Sequence, residues 1–483
     1  MLRRRFFNIE LGLMISRFIR VLLVSVSLAA VLYGAAQTRV VIMHTNDIRG
    51  HILADGEGPG SARLATVVRE ARPDLLLDAG EMFSGTLVSN LFFGSPVIEV
   101  MNAIGYDAAA VGANEFSFGI HALAARVREA NFPILSANAE SPIGEIQVAA
   151  IFNAQDVRIA VVGLTSEEVS RTGRPHHVKY VDVADAVRTL ESVLPRIRDR
   201  ADCIILLGNV TREEEQRLAR AFPEIRLIIG AHDEAELPIR IGSTSIVSTG
   251  MFGKYVGRLD LTFDDRELNR IESRLIPLAD VEPDPEIAEL LKPYEAKLNR
   301  ALHQVLGHAA GDFSRSTARE SHIGNLLADS VRAKTGTTIA LVNADDAQAG
   351  IRKGPITSQV VLQVLPSETT LVTMRLSGAQ IKRILGRNLM SVSGLRVKLD
   401  VRKPEGKRLV SVRLQDGGSI KDKELYSVTT NDVLLAGEDG HMEFAAGVQV
   451  EDTGILMRDA FGEYIARLGT VAPRLDGRIQ LSR

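Results

Sequence analysis

The chain has 483 residues, too many for one ordinary core, and that length favours two domains behind a leader. Apolar residues make up 45% and charged residues 24%, a balance that excludes a disordered or low-complexity chain. A net charge of −3, with no Lys/Arg run beyond the first residues, excludes nucleic acid and an anionic membrane surface as expected partners.

Arg3-Arg4-Arg5, Arg17 and Arg20 precede the uncharged stretch Val21 to Ala36, which ends in the small residues Gly34-Ala35-Ala36. This pattern predicts an export signal over residues 1–37 and hence a periplasmic or extracellular protein. The stretch is shorter than the roughly 20 apolar residues of a spanning helix, so membrane contact is expected only through an uncleaved leader. Met14 offers a second start that would give the leader more usual proportions.

From Thr38 onward, short β-branched runs alternate with helix-length amphipathic segments. The runs are Arg39 to Met43, Leu75 to Leu77, Ala108 to Val111, Ile134 to Leu135, Ile159 to Leu164, Ile204 to Leu207 and Leu227 to Ile229. Such alternation predicts an α/β protein with buried strands. Polar clusters follow several runs at once: His44-Thr45-Asn46-Asp47, Asp78-Ala79-Gly80-Glu81, Gly112-Ala113-Asn114-Glu115, Gly208-Asn209 and Ala231-His232-Asp233-Glu234. They fall at the carboxyl ends of strands, where α/β folds build their sites. Cys203, the single cysteine, lies inside an apolar run and reads as a buried strand thiol with no disulfide partner. Pro283-Asp284-Pro285 then opens an amphipathic series, Ile287, Leu290, Leu291, Tyr294, Leu298 and Leu302, expected to be a helical linker over 281–305. A second unit, 306–483, carries its own helix near Gly324 to Lys334 and strands Ile339 to Val342 and Leu371 to Leu376.

Aspartate, histidine, asparagine and glutamate residues converging from several strand ends suit two divalent metals about 3.5–4 Å apart, which activate water and clamp a phosphate. Here such clusters occur in a fixed order with flanks that resemble the 5′-nucleotidases. The matching segments include His44-Thr45-Asn46-Asp47-Ile48-Arg49-Gly50-His51, Gly60-Ser61-Ala62-Arg63-Leu64-Ala65-Thr66, Gly112 to Gly119, Phe132 to Asn138, Gly253 to Leu259, and Arg319-Glu320-Ser321-His322-Ile323-Gly324-Asn325. The resemblance implies an N-terminal four-layer α/β/β/α metallophosphoesterase-like domain over 38–280 and a smaller C-terminal α/β nucleotide-specificity domain over 306–483.

The departures from the family pattern fall on the ligands. Matched residue by residue, the metal positions are Asp47, Glu81, Asn209, His232 and Glu234, of which only Asp47 and His232 keep the family's residue. Arg49 stands where a ligand histidine is expected, and Ala113 and Asn114 replace the pair that supplies a ligand and the catalytic imidazole. A guanidinium 4 Å from a dication, at an effective dielectric of 20, is repelled by roughly 8 kcal/mol, twice the unit-charge figure. Arg49 is therefore expected to substitute for one metal and to neutralise Asp47, Glu81 and Glu234. His44, His51 and His121 read as structural.

In the second unit the resemblance gives Arg319, Asn343, Gln348 and Asp439 as substrate contacts. Gln348 replaces an arginine, Asp345 and Asp346 bring two negative charges toward the phosphate side, and Arg352 stands four residues late. The two base-stacking phenylalanines become Ser367 and Val433. Losing two aromatic faces, each contributing about 1–3 kcal/mol, weakens nucleotide binding by orders of magnitude. Two functions are thus expected in turn. The first is a ligand-binding or scaffold protein, for a small phosphorylated or nucleotide-like molecule, that has lost hydrolysis. The alternative is a metal-dependent phosphomonoester hydrolase on one divalent ion (Mn, Zn or Co) at reduced occupancy, held by Asp47, Glu81, His232 and Glu234, with Arg49 and Asn114 at the phosphate.

Overall fold

The computed structural model describes residues 37–140, 143–167, 169, 181–231, 238–437 and 440–482. The expected leader up to residue 36, and the candidates His232, Glu234 and Asp439, lie outside the described residues. The chain divides into two compact units at Glu295/Ala296, inside the helix Pro285–His303. That helix starts sharply because Pro285 fits a first helical turn and the Asp284 carboxylate accepts the N–H groups of Glu286 and Ile287 at 3.0 Å each. Among the described residues no helix is long and apolar enough to cross a membrane.

The first unit is built on two six-stranded sheets among the described residues. The first runs Glu267–Pro277, Tyr255–Asp264, Gln37–Thr45, Leu75–Asp78, Ala108–Ala110, Ile134–Leu135, and its last four strands are parallel. The second runs Ile239–Ile241, Thr244–Val247, Ile225–Gly230, Cys203–Asn209, Val157–Thr165, Ala149–Ala154. The period of two along each strand sorts the layers. Cys203, Ile205 and Leu207 face inward and meet Val40, Ile42, Leu75 and Leu77 in one core shared by the sheets. Ile204 and Leu206 face outward, under Leu190 and Leu194 of the helix Ala186–Ile197 and Leu218 of the helix Arg212–Ala221. Helices Ser61–Ala71, Ser95–Ile104 and Ile120–Glu129 connect the parallel strands of the first sheet, so the layers read helix, sheet, sheet, helix. Cys203 is sealed in the shared core, where burial pushes its thiol up to about 12.

The second unit has a five-stranded sheet ordered Met390–Ser393, Ile339–Asn343, Leu425–Asn431, Thr370–Ser377, Val448–Leu456. Ala340 and Val342 on one face pack against Ile323, Leu327 and Val331 of the helix His322–Thr335 and Phe461 and Ile465 of the helix Met457–Leu468. Ile339 and Leu341 on the other face meet Ile381, Ile384 and Leu385 of the helix Gly378–Arg387. That helix opens with a capping box formed by Ser377 and Gln380, and the helix His322–Thr335 closes on the left-handed Gly336.

Candidate functional site

Parallel strands of the first unit end together at Thr45, Asp78, Ala110, Thr165, Asn209 and Gly230, and the loops that follow form the mouth. Two of those loops are zipped by backbone bonds: Asp47 N–H to Gly80 O (3.0 Å), Arg49 N–H to Glu81 O (2.8 Å) and Gly50 N–H to Met82 O (2.8 Å). The zipper needs tight backbone, and Asp47, Arg49 and Glu81 all take left-handed conformations, at φ 50°, 47° and 62°. Such non-glycine positions cost roughly 1–2 kcal/mol each and persist only where the surroundings hold them. Asn46 is part of the hold. Its Oδ1 accepts from Thr249 N–H (2.7 Å) and hydroxyl (2.8 Å), while its Nδ2 donates to Asp47 Oδ2 (2.9 Å).

Arg49 turns onto Asp47, donating from Nε (3.2 Å) and Nη2 (2.9 Å) to Oδ1. Asp47 is buried, and the arginine side chain remains 31% exposed at the mouth. Glu81 is buried beside them, and burial raises its proton affinity, a shift that the Arg49 charge offsets only in small part. Its Oε1 accepts from Ala113 N–H (2.6 Å) and Asn114 N–H (3.1 Å), so the carboxylate caps the short turn Asn114–Phe116. Gly112 makes room for this: a Cβ there would stand 2.6 Å from Glu81 Oε1.

Behind Glu81 lies Glu115, fully buried, which sequence reasoning gave no role. Its carboxylate accepts from Gly112 (2.6 Å), Met82 (2.7 Å), Glu81 (3.1 Å) and Phe83 (3.2 Å) N–H groups, tying two strand-end loops together. The available signal was a second acidic residue in the polar cluster Gly112-Ala113-Asn114-Glu115 at a strand end. Burial, with the mutual repulsion of the two carboxylates, raises the proton affinity of Glu81, and burial raises that of Glu115 against its N–H donors. Asp78, also fully buried, accepts from Thr45 Oγ1 (2.5 Å) and Gly80 N–H (2.8 Å), and desolvation pushes it up to about 7.

Asn114 keeps its side chain near Ser84 O (3.5 Å), and Asn209 ends its strand half-buried, paired in register with Thr165. The described donor set does not fit two dications. Both oxygens of Asp47 are engaged, Oδ1 by a guanidinium and Oδ2 by an amide, and one oxygen of Glu81 serves two backbone N–H groups. Among the described residues no three His, Cys, Asp or Glu side chains converge in a metal-holding arrangement. His44 is fully buried against Gly257 with no hydrogen-bond partner among the described residues, and desolvation lowers it to about 3. His51 Nδ1 sits 2.9 Å from Asp55 Oδ2, with its ring 4.3 Å from that of Phe252.

In the second unit Arg319 is exposed just before the Ser321 N-cap of the helix His322–Thr335, and Asn343 ends its strand buried. Gln348 is exposed and donates to Asp345 O at 2.7 Å. Asp346 Oδ2 accepts from Asn343 N–H (2.9 Å) and Asn431 Nδ2 (3.2 Å) and closes the turn. Arg352 points to Asp312 (3.4 Å) with its side chain 93% exposed. Ser367 is exposed and Val433 half-buried.

The 5′-nucleotidase C-terminal domain family matches residues 305–446. The chain is 29% identical over 511 residues to the trifunctional nucleotide phosphoesterase protein YfkN of Bacillus subtilis; the match covers 91% of this chain but spans only 35% of that protein's length. It is 26% identical over 535 residues to the snake venom 5′-nucleotidase of Crotalus adamanteus, covering 94% and 90% of the two chains. The crystal structure of a 5′-nucleotidase precursor from Thermus thermophilus superposes with a TM-score of 0.59 at 28% identity, over 92% of this chain and 99% of that one.

Proposed function

Because this chain belongs to the 5′-nucleotidase family of metallophosphoesterases, we propose that it retains the family's cleft as a binding site for a small phosphorylated molecule and has given up two-metal hydrolysis. The observation that carries the reading is Arg49 seated on Asp47, with Glu81 turned onto the Ala113 and Asn114 N–H groups. A permanent cation now stands where a metal ligand is required, and a planar guanidinium is suited to phosphate oxygens. The raised proton affinities of Asp78, Glu81 and Glu115 reduce the negative charge around it near neutral pH, so an anion meets less repulsion than four ionised carboxylates would give. Asn114 is the neighbouring polar contact in this reading. With Ser367 and Val433 in place of aromatic rings, binding of AMP through its base is weak.

The leader over 1–37 makes this an exported protein, periplasmic or extracellular, with domains over 38–280 and 306–483 joined by 281–305. The names of two relatives, a venom enzyme and a precursor, support export. Elemental analysis after dialysis, together with hydrolysis assays on 4-nitrophenyl phosphate, UMP and AMP with added manganese, cobalt or zinc, tests the reading. The expected result is no stoichiometric metal and no turnover, with inorganic phosphate binding that Arg49→Ala weakens about tenfold, as for loss of one charge-assisted contact. Stoichiometric metal with turnover abolished by Glu81→Ala overturns it in favour of a phosphomonoester hydrolase.

A further inference from the structure

The strand Glu267–Pro277 forms one outer edge of the first sheet and, at 11 residues, is the longest outer strand among the described residues. The opposite edge, Ile134–Leu135, has two residues. Proteins keep a sheet edge from pairing with another chain by short strands, bulges, proline or lysine. Here the register shift lies at the hairpin end, between Thr262 and Phe263, so Arg270 to Pro277 run regularly, with proline only at the last position and no lysine.

The register sorts the side chains of this edge. Ile271, Ser273 and Leu275 stand opposite Leu261, Leu259 and Gly257, and Ile271 packs on the core between the sheets. The exposed positions between them lie in rows of like charge: Glu272 opposite Asp260, and Arg274 opposite Arg258. Like charges directly opposite repel. The strands relieve this along their length, with Arg258 and Arg39 on Asp260 (2.9 and 3.0 Å) and Arg270 on one oxygen of Glu272 (2.6 Å). Arg274 is left with no ion pair among the described residues.

We propose that this edge pairs antiparallel with the same edge of a second copy of the chain, about a two-fold axis at Ser273. A two-fold normal to the sheet keeps its faces together, so only residues of the same face stand opposite each other. Centred on Ser273, it sets each Arg274 opposite Glu272 of the second copy and each Ile271 opposite Leu275. Two ion pairs form, and the inner apolar row continues across the joint. Centring on Glu272 would set Arg270 against Arg274, centring on Arg274 would set the two arginines together, and centring on Ile271 would leave Arg274 opposite Leu268. Charge complementarity therefore selects one register. A strand edge is smaller than the roughly 800 Å² per partner of a standard interface, so the dimer forms as concentration rises.

Sedimentation equilibrium of the full chain from about 1 to 100 µM, the range of a weak interface, tests this and is expected to show a monomer becoming a dimer. Arg274→Glu places an opposite charge across from Arg258 of its own chain, so it spares the fold, and it is expected to abolish the dimer. Adding Glu272→Arg exchanges the signs and is expected to restore it. Ser273→Cys is expected to cross-link two chains under copper phenanthroline, because opposed Cα atoms about 4.5–5.5 Å apart suit a disulfide. The native Cys203 is buried and gives no background. Ile271→Cys is expected not to cross-link, since four residues separate it from its copy, about 13 Å along the strand. A monomer over the whole range, a dimer indifferent to Arg274→Glu, failure of the exchange to restore it, or cross-linking at Ile271→Cys and not at Ser273→Cys overturns the proposal.

Discussion

His44 carries an imidazole that the fold has stripped of water and that has no hydrogen-bond partner among the described residues. Its pKa falls to about 3 from the ordinary histidine value of 6.5. Between those values the unfolded chain holds the proton and the folded chain does not, so this residue's penalty is absent above pH 6.5 and grows as the pH falls toward 3. The slope is about 1.4 kcal/mol per pH unit. Urea unfolding of His44→Leu and the unaltered protein at about pH 6.5, 5.8 and 5.0 is expected to show the difference between them moving in the variant's favour at that rate. Parallel curves would mean that the ring finds a proton acceptor. The sequence marked His44 as structural but could not say that it is unsatisfied, since that depends on Gly257 across the strand pair. The same limit applies to Glu81. Its place in the motif was legible, whereas its aim was fixed by a left-handed φ and by the missing Cβ of Gly112, neither of which is written in spacing.

At the level of elements, the loops at 47–50 and 80–83 and the turn at 112–116 behave as one assembly: backbone bonds zip the first to the second, and the Glu115 carboxylate ties the second to the turn. Replacing Glu115 by glutamine would set an NH₂ group against two of the four N–H donors it now accepts. Leaving those donors unmatched costs about 2–4 kcal/mol. Glu115→Gln is therefore expected to lower unfolding stability by that amount and to raise amide exchange at the pair that faces the new NH₂ group, Met82 with Phe83 or Glu81 with Gly112; a loss below about 1 kcal/mol would show that the loops hold themselves. The inner strands were readable because apolar runs such as Leu75 to Leu77 and Ile204 to Leu207 are buried on both faces. The pair Tyr255–Asp264 and Glu267–Pro277 was not picked out, because its outer strand carries Glu267, Arg270, Glu272 and Arg274 and a charged alternation resembles a solvated loop. In the second unit the partners of the Asp346 carboxylate, Asn343 and Asn431, were not legible for a related reason: they lie on two strands that are far separated in sequence.

For the whole molecule, the proposed metal positions are spread in sequence from Asp47 to Glu234, and the reading of a site that has lost its metals is tested by putting ligands back. Restoring histidine or asparagine at four of the places, with Ala113→Asn, Asn114→His, Asn209→His and Glu234→His, leaves Arg49 on Asp47. That variant is expected to take up no manganese or zinc in titration calorimetry, while adding Arg49→His brings metal binding back. Uptake by the fourfold variant would show that the guanidinium yields readily. Family and layering were legible because strand-end motifs recur in fixed order over most of the chain, whereas the state of the site depended on which atoms the guanidinium and the carboxylates reach.

Cys203 offers a use that follows from its seat between the two sheets. As the sole thiol of the chain, held protonated far above neutral pH, it will stay silent toward alkylating reagents while the sheets are closed. A cysteine introduced at an exposed position becomes a unique attachment point for a dye, and slow reaction of the native thiol becomes a clock for the parting of the sheets.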